Sequence, residues 1–285
     1  MLLADTPRRM SGTAFRFAVL GAALVGAVMG GLWLALLDAD PRGVPPAALV
    51  AAASRPQTLI SMAVLLVGAT ALGCLVGKLV NAVVGLFVLG AAISVYAMRT
   101  GPLSGLVFDG IPMSAIGIET CVWAAVMSVC ACVVFMVSGP LPDVPREERV
   151  SMWRELAHGD ALRALAPAVL AVPVVWVVAR SGTKGQAIGA AVLAGLVCGA
   201  GSRMAAPRVQ PVLIFGAPLL VLGIAQFASG LRLGAAPDAL LAAGALSPLL
   251  NVLPVDAAGG IVVGVAMGLG WARGTAKPAG ATLPA

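Results

Sequence analysis

The chain has 285 residues, of which 60% are hydrophobic and 11% charged, with a formal net charge of +6 and a mean hydropathy of +1.02. A soluble domain carries about 25% charged residues, so this chain is too poor in charge to cover a globular surface, and the lipid bilayer becomes its solvent. The basic residues flank apolar runs, where membrane orientation accounts for them, and nucleic acid is not an expected partner.

About 20 apolar residues in a helix cross the ~30 Å hydrocarbon core. Runs of that kind predict spans at 17–37, 58–76, 82–98, 116–137, 164–180, 186–204, 212–230 and 256–272. Backbone groups in lipid must be paired internally, so each run should be a helix. Alternating segments of ~10 residues, the mark of a transmembrane barrel, are missing. The expected fold class is an all-α integral membrane protein with about eight transmembrane helices.

In chain order, a cytoplasmic N-terminal segment (1–16) carries Arg8, Arg9 and Arg16 ahead of the first run. That run exceeds the apolar core of about 7–15 residues typical of a secretory signal, and Leu36-Leu37-Asp38 is a poor cleavage site, so it reads as a retained span. The stretch 58–98 is apolar throughout, yet as one helix it would be roughly 60 Å long. It must turn, and Gly77-Lys78 through Asn81 is its polar break. These four spans make a first membrane half, 17–137.

A connector, 138–163, follows. Pro145 suits a first helical turn, and Asp143, Glu147 and Glu148 complement its positive end. Val150, Trp153, Leu156 and Ala157 recur at helical spacing, which predicts an amphipathic helix on the cytoplasmic membrane surface with Trp153 at headgroup depth. Gly159 is the expected stop, and Asp160 the expected cap of the next helix. The second half occupies 164–272, its first two spans joined by the tight segment 180–184, and 273–285 is a cytoplasmic tail.

With the N-terminus inside, twelve basic residues fall in inner segments and six (Arg42, Arg55, Arg99, Arg180, Lys184, Arg232) in outer ones. The positive-inside rule then places both termini in the cytoplasm. The compact loops suggest the inner membrane of a bacterium. The loops also suggest a parallel four-plus-four repeat. In each half the second and third spans share a short basic turn, and an outer arginine (Arg99; Arg232) precedes a mildly apolar outer segment. An acidic residue (Glu119; Asp256) then opens the fourth span.

Inside the spans the clearest pattern is glycines four apart: Gly26/Gly30, Gly73/Gly77, Gly185/Gly189, Gly195/Gly199, Gly260/Gly264 and Gly264/Gly268. Such faces permit close backbone approach, either as static packing or as a sliding interface. Pro173 and Pro218 fall mid-span and should kink their helices.

Ionisable groups in the membrane usually mark a pathway, and none lies near a span centre. Glu119 and Asp256 sit where a carboxylate caps a helix N-terminus. The outer segments 99–115 and 231–255 combine prolines with Asp109 and Asn251 and read as re-entrant or interfacial helices. Gln226 is the costliest uncharged group to bury: it either lines a polar path or bonds to a neighbouring helix. The candidate pathway residues are therefore Gln226, Glu119, Asp256, Asp109 and Asn251.

No catalytic set is present. His158 is the single histidine, and no nucleophile elbow, phosphate-binding loop or cluster of intramembrane aspartates occurs. The five cysteines lie within spans without metal-ligand spacing, so no enzyme activity, metal or cofactor is expected. Two functions compete: a small transporter or permease-like component for an uncharged or weakly polar solute, and a non-catalytic subunit or scaffold whose partners are other membrane-complex subunits.

Overall fold

The computed structural model describes residues 12–38, 43–46, 48–52, 56–141, 159–233 and 237–273. Every regular element among them is helical. The order is α1 (Gly12–Leu37), a single turn α2 (Leu49–Ala52), α3 (Pro56–Leu79), α4 (Ala82–Ala97), α5 (Leu103–Phe108) and α6 (Met113–Ser138). Then come α7 (Gly159–Leu165) and α8 (Ala171–Val178), joined by the 3-10 stretch Ala166–Leu170 into one apolar rod, Asp160–Val178. Lys184–Ala205 forms α9, Ala217–Arg232 forms α10, Pro237–Ala242 forms α11 and Pro254–Arg273 forms α12.

Seven of these rods are long and apolar enough to cross a membrane, which makes the chain a polytopic all-α membrane protein. The remaining predicted span is α4, of 16 residues, about 24 Å long at 1.5 Å per residue. It still joins the two faces of the bundle. At its start Asn81 accepts the N–H of Val84 at 3.0 Å; at its end Tyr96 reaches Asp38, just beyond α1. Large apolar side chains such as Trp33, Val67, Val129 and Trp271 point outward, as they should where lipid is the solvent.

One expectation meets a different local outcome. Pro218 does not kink a helix: it occupies the first turn of α10, after the 3-10 turn Leu213–Phe215, where its missing N–H has no helical partner to lose. Asp160, in the first turn of α7, pairs with Arg163 at 3.1 Å, while the stop expected at Gly159 concerns a helix that lies outside the described residues. The amphipathic connector helix falls largely on 142–158, outside the described residues, as do most of the N-terminal segment and of the tail.

The packing centres on α12, whose span is 78% buried against 22% for α1. It runs parallel to α9, because their contacts rise together along both helices. Gly260 faces Ile188 and Ala191, Gly264 faces Val192 and Leu196, and Gly268 faces Leu196 and Ala200. From the other side Gly195 and Gly199 face Ile261 and Val265. A Cβ on Gly264 would lie 2.0 Å from the Val192 carbonyl oxygen, so the two backbones touch. Elsewhere α12 packs antiparallel to α4, with Gly90 against Val263 and Gly259 against Ser94. A second antiparallel pair, α6 and α10, meets through Gly117, Gly223 and Gly230.

Spacing alone does not mark such contacts. Gly26, Gly30, Gly185 and Gly189 have nothing near the position of a Cβ, whereas Gly31, outside the predicted pairs, lies against the Ala92 carbonyl of α4.

The suggested repeat has a local counterpart. α5 ends with the bonds Asp109 N to Gly105 O, Gly110 N to Val107 O and Ile111 N to Leu106 O. α11 ends with Ala243 N to Ala239 O, Gly244 N to Leu241 O and Ala245 N to Leu240 O. Each closing glycine has a positive φ, 70° and 65°, the left-handed conformation that such helix ends favour. The likeness lies in the ends of these two short helices.

Gly264→Leu should destabilise the bundle by about 1–3 kcal/mol or more, because the added atoms overlap backbone. Gly21→Ala, with open space at that position, should leave unfolding unchanged. Detergent-solubilised thermal or denaturant unfolding of both variants measures the difference.

Candidate functional site

The two faces of the bundle are built differently. On the face that holds α5 and α11, three buried carboxylates tie separate elements together. Asp38 accepts the Tyr96 hydroxyl at 2.6 Å and the Thr58 hydroxyl at 2.7 Å, joining the ends of α1, α3 and α4. Glu119, in α6, accepts the backbone N–H groups of Leu49 and Val50 at 2.9 and 3.2 Å, and so pins α2. Asp256, in the first turn of α12, takes the Lys184 ammonium on both oxygens at 3.0 Å. The same ammonium donates to the Thr100 hydroxyl at 2.7 Å, and Leu253 N–H reaches Asp256 at 3.3 Å. This knot binds the start of α9 and of α12 to the residues just past α4.

Gln226 lies in the same region and is fully buried. Its amide nitrogen donates to the carbonyls of Leu249 and Val252 at 2.9 and 2.7 Å, and its oxygen lies 2.6 Å from the Thr120 hydroxyl. Asn251, between those two carbonyls in sequence, donates to the Ala179 carbonyl at 2.8 Å. Four of the predicted residues, Gln226, Glu119, Asp256 and Asn251, therefore belong to one set of ties on this face. Asp109 stands apart, exposed at the end of α5. Beneath the ties Ala48, Leu103, Leu106, Met113, Leu250 and Leu253 form an apolar cluster separate from the main core. The outer segments thus cap the bundle.

The opposite face holds a cavity of about 320 Å³, open to its surroundings. Leu20 of α1 and Val84 and Phe87 of α4 line one side; Ala266 and Gly270 of α12 line the other. Its polar groups are Asn81 and Arg203. Arg203 stands in the last turn of α9, where a cation complements the helix C-terminus, and only 7% of it is exposed. Leu141, also in the wall, is held by its N–H to Gln210 Oε1 at 3.2 Å. None of the five predicted residues lines this cavity.

Sequence reasoning passed over Asp38, Lys184 and Arg203. A cue existed for the third, which falls inside the predicted span 186–204. Asp38 and Lys184 lie just outside spans, and their roles depend on contacts between residues 58 and 72 positions apart. The charge partner of Asp256 is Lys184, the first residue of α9.

No family model, curated protein or solved structure matches the chain.

Removing one partner from a buried ion pair costs about 3–5 kcal/mol, because the other charge is left uncompensated. Asp256→Asn alone should therefore lower unfolding stability by that order, and Lys184→Met in the same chain should recover part of the loss. A double-mutant cycle on detergent-solubilised protein tests this. Gln226→Leu strands the carbonyls of Leu249 and Val252, each at about 1–3 kcal/mol. The same unfolding assay should register that loss.

Proposed function

We propose that the chain is a small membrane permease, or the permease component of a larger assembly, that moves a largely apolar, weakly polar solute. The observation that supports this reading is the contrast between the faces. A cavity lined by helices of both halves opens on one side, while the other side is closed by a cap and its polar ties. Alternating access needs that asymmetry: one gate shut, the other open, and a site between two bodies. The positive-inside count assigns the open face to the cytoplasm, with a bacterial inner membrane as the setting. Gln226, Glu119, Asp256 and Asn251 then act in the closed gate, and opening it requires exchanging their internal bonds for water. Asp109, exposed nearby, would meet solute only on that outer side.

The scaffold reading draws on the same packing. Backbone contacts along α9 and α12 make a stiff core, and a non-catalytic subunit needs nothing more. Reconstitution separates the two. Purified protein in liposomes should accelerate uptake of at least one member of a panel of small uncharged and weakly polar solutes. Val84→Phe, which narrows the cavity, should reduce that uptake severalfold without loss of folded protein. Absence of any flux, together with stoichiometric copurification of another membrane subunit, would overturn the permease reading in favour of the scaffold.

A further inference from the structure

We infer that the cavity beside Asn81 is filled sideways from the membrane, by an uncharged single-chain amphiphile whose head accepts a hydrogen bond. The cavity is a crevice between α1 and α12, two helices that both pack on α4 and hardly meet each other. Towards the far end of α4 the three close together: Gly31 brings α1 against Ala92 and Tyr96, and Gly259 brings α12 against Ser94. Towards Asn81 they part. Gly21 of α1 and Gly270 of α12 have open space at the position of a Cβ, and Leu20, Val84, Phe87, Ala266 and Leu269 wall the gap with hydrocarbon. Met267 and Gly270, in that wall, are exposed, as are their neighbours Trp271 on α12 and Phe17 and Gly21 on α1. These are lipid-facing surfaces, so the mouth opens on hydrocarbon and admits a molecule already dissolved there.

The polar part of the wall selects the head. Asn81 spends its amide oxygen on the N–H of Val84, which leaves its two Nδ2 hydrogens without an acceptor among the described residues. A donor in that state, bordering an apolar cavity, is stabilised by a ligand oxygen. Arg203, in the same wall, already has an interaction partner, so the site asks for no anionic charge. An ester or ketone oxygen meets the need; a plain hydrocarbon leaves the amide unpaired. Asn81 stands at the turn between α3 and α4, at the end of the bundle, and the hydrocarbon wall runs inward from it towards Phe87. The amphiphile therefore lies head to the interface and tail inward, the orientation it has in the leaflet it leaves. That the ligand is cargo rests on the permease reading; that it binds does not.

Photolabelling of the purified full chain in lipid nanodiscs tests this, with methyl palmitate carrying a diazirine on its chain as the probe. Label should concentrate on peptides around Phe87 and Met267, in preference to the equally lipid-facing Val67 and Val129. Unlabelled methyl palmitate should compete about fivefold better than the alkane of equal length, the margin of one net hydrogen bond. Asn81→Asp keeps an oxygen to cap α4 and removes both donors, so it should erase that margin. Gly270→Leu, which adds bulk where open space stands, should cut labelling severalfold. Label spread evenly over the lipid-facing helices, equal competition by ester and alkane, or a margin that survives Asn81→Asp would each overturn the proposal. If either variant fails to fold, the label distribution and the competition on the natural chain still decide. Methyl butyrate is the third arm: competition as strong as that of methyl palmitate would replace the membrane-borne ligand with a small solute and refute the role of the hydrocarbon wall. Labelling of the site without uptake in liposomes would leave the site standing and remove the permease reading instead.

Discussion

Close backbone contact along α12 is the constraint on which the other packing rests. Between helices in lipid there is no hydrophobic gain from leaving the solvent, so association relies on dispersion and on how near two backbones can come. Gly260, Gly264 and Gly268 on one helix, interleaved with Gly195 and Gly199 on its parallel neighbour, bring main-chain atoms into touch. Gly90 and Gly259 repeat the arrangement against α4. With α4 and α9 both seated on α12, the positions of Asn81, Arg203 and the Lys184–Asp256 pair follow, because each sits at an end of one of these three helices.

Polar chemistry is distributed to suit that scaffold. Buried carboxylates in a low-dielectric setting are tolerated when each oxygen has a donor. Asp38, Glu119 and Asp256 meet that condition with hydroxyls, backbone N–H groups and one ammonium. All three lie at span ends on the capped face. The cost of ordering these groups is met once, by a set of bonds that cross between elements distant in sequence. The other face holds the cavity, with Arg203 in its wall.

The spans were legible because their cause is local. A run of apolar residues long enough to cross hydrocarbon is visible in the letters, and the structure places helical rods over the eight runs, seven of them long and apolar enough to cross. Even the break inside 58–98 was readable, since Asn81 is both the polar interruption and the cap of α4. Partnership was not legible. The spacing that identifies Gly195/Gly199 also picks out Gly185/Gly189, which touch nothing, because spacing defines a face and says nothing of what lies opposite. Lys184 and Asp256 are 72 residues apart, so their meeting depends on the parallel alignment of α9 with α12. The cavity is a property of several helices at once, and its one charged wall residue looked like an ordinary flanking cation.

The order of synthesis gives the central place of α12 a cost in biogenesis. Chains are made from the N-terminus, so every other span described here is already in the membrane before its hub is translated. Until then the glycine faces of α4 and α9 meet lipid or one another, and Asp256 is not yet there to receive Lys184. The nascent protein therefore passes through a stage in which most of its helices are inserted but not assembled, with a lysine unpaired near the bilayer edge. A cell that monitors membrane-protein assembly could recognise that intermediate, and the lifetime of an unfinished chain would be set by how promptly α12 arrives.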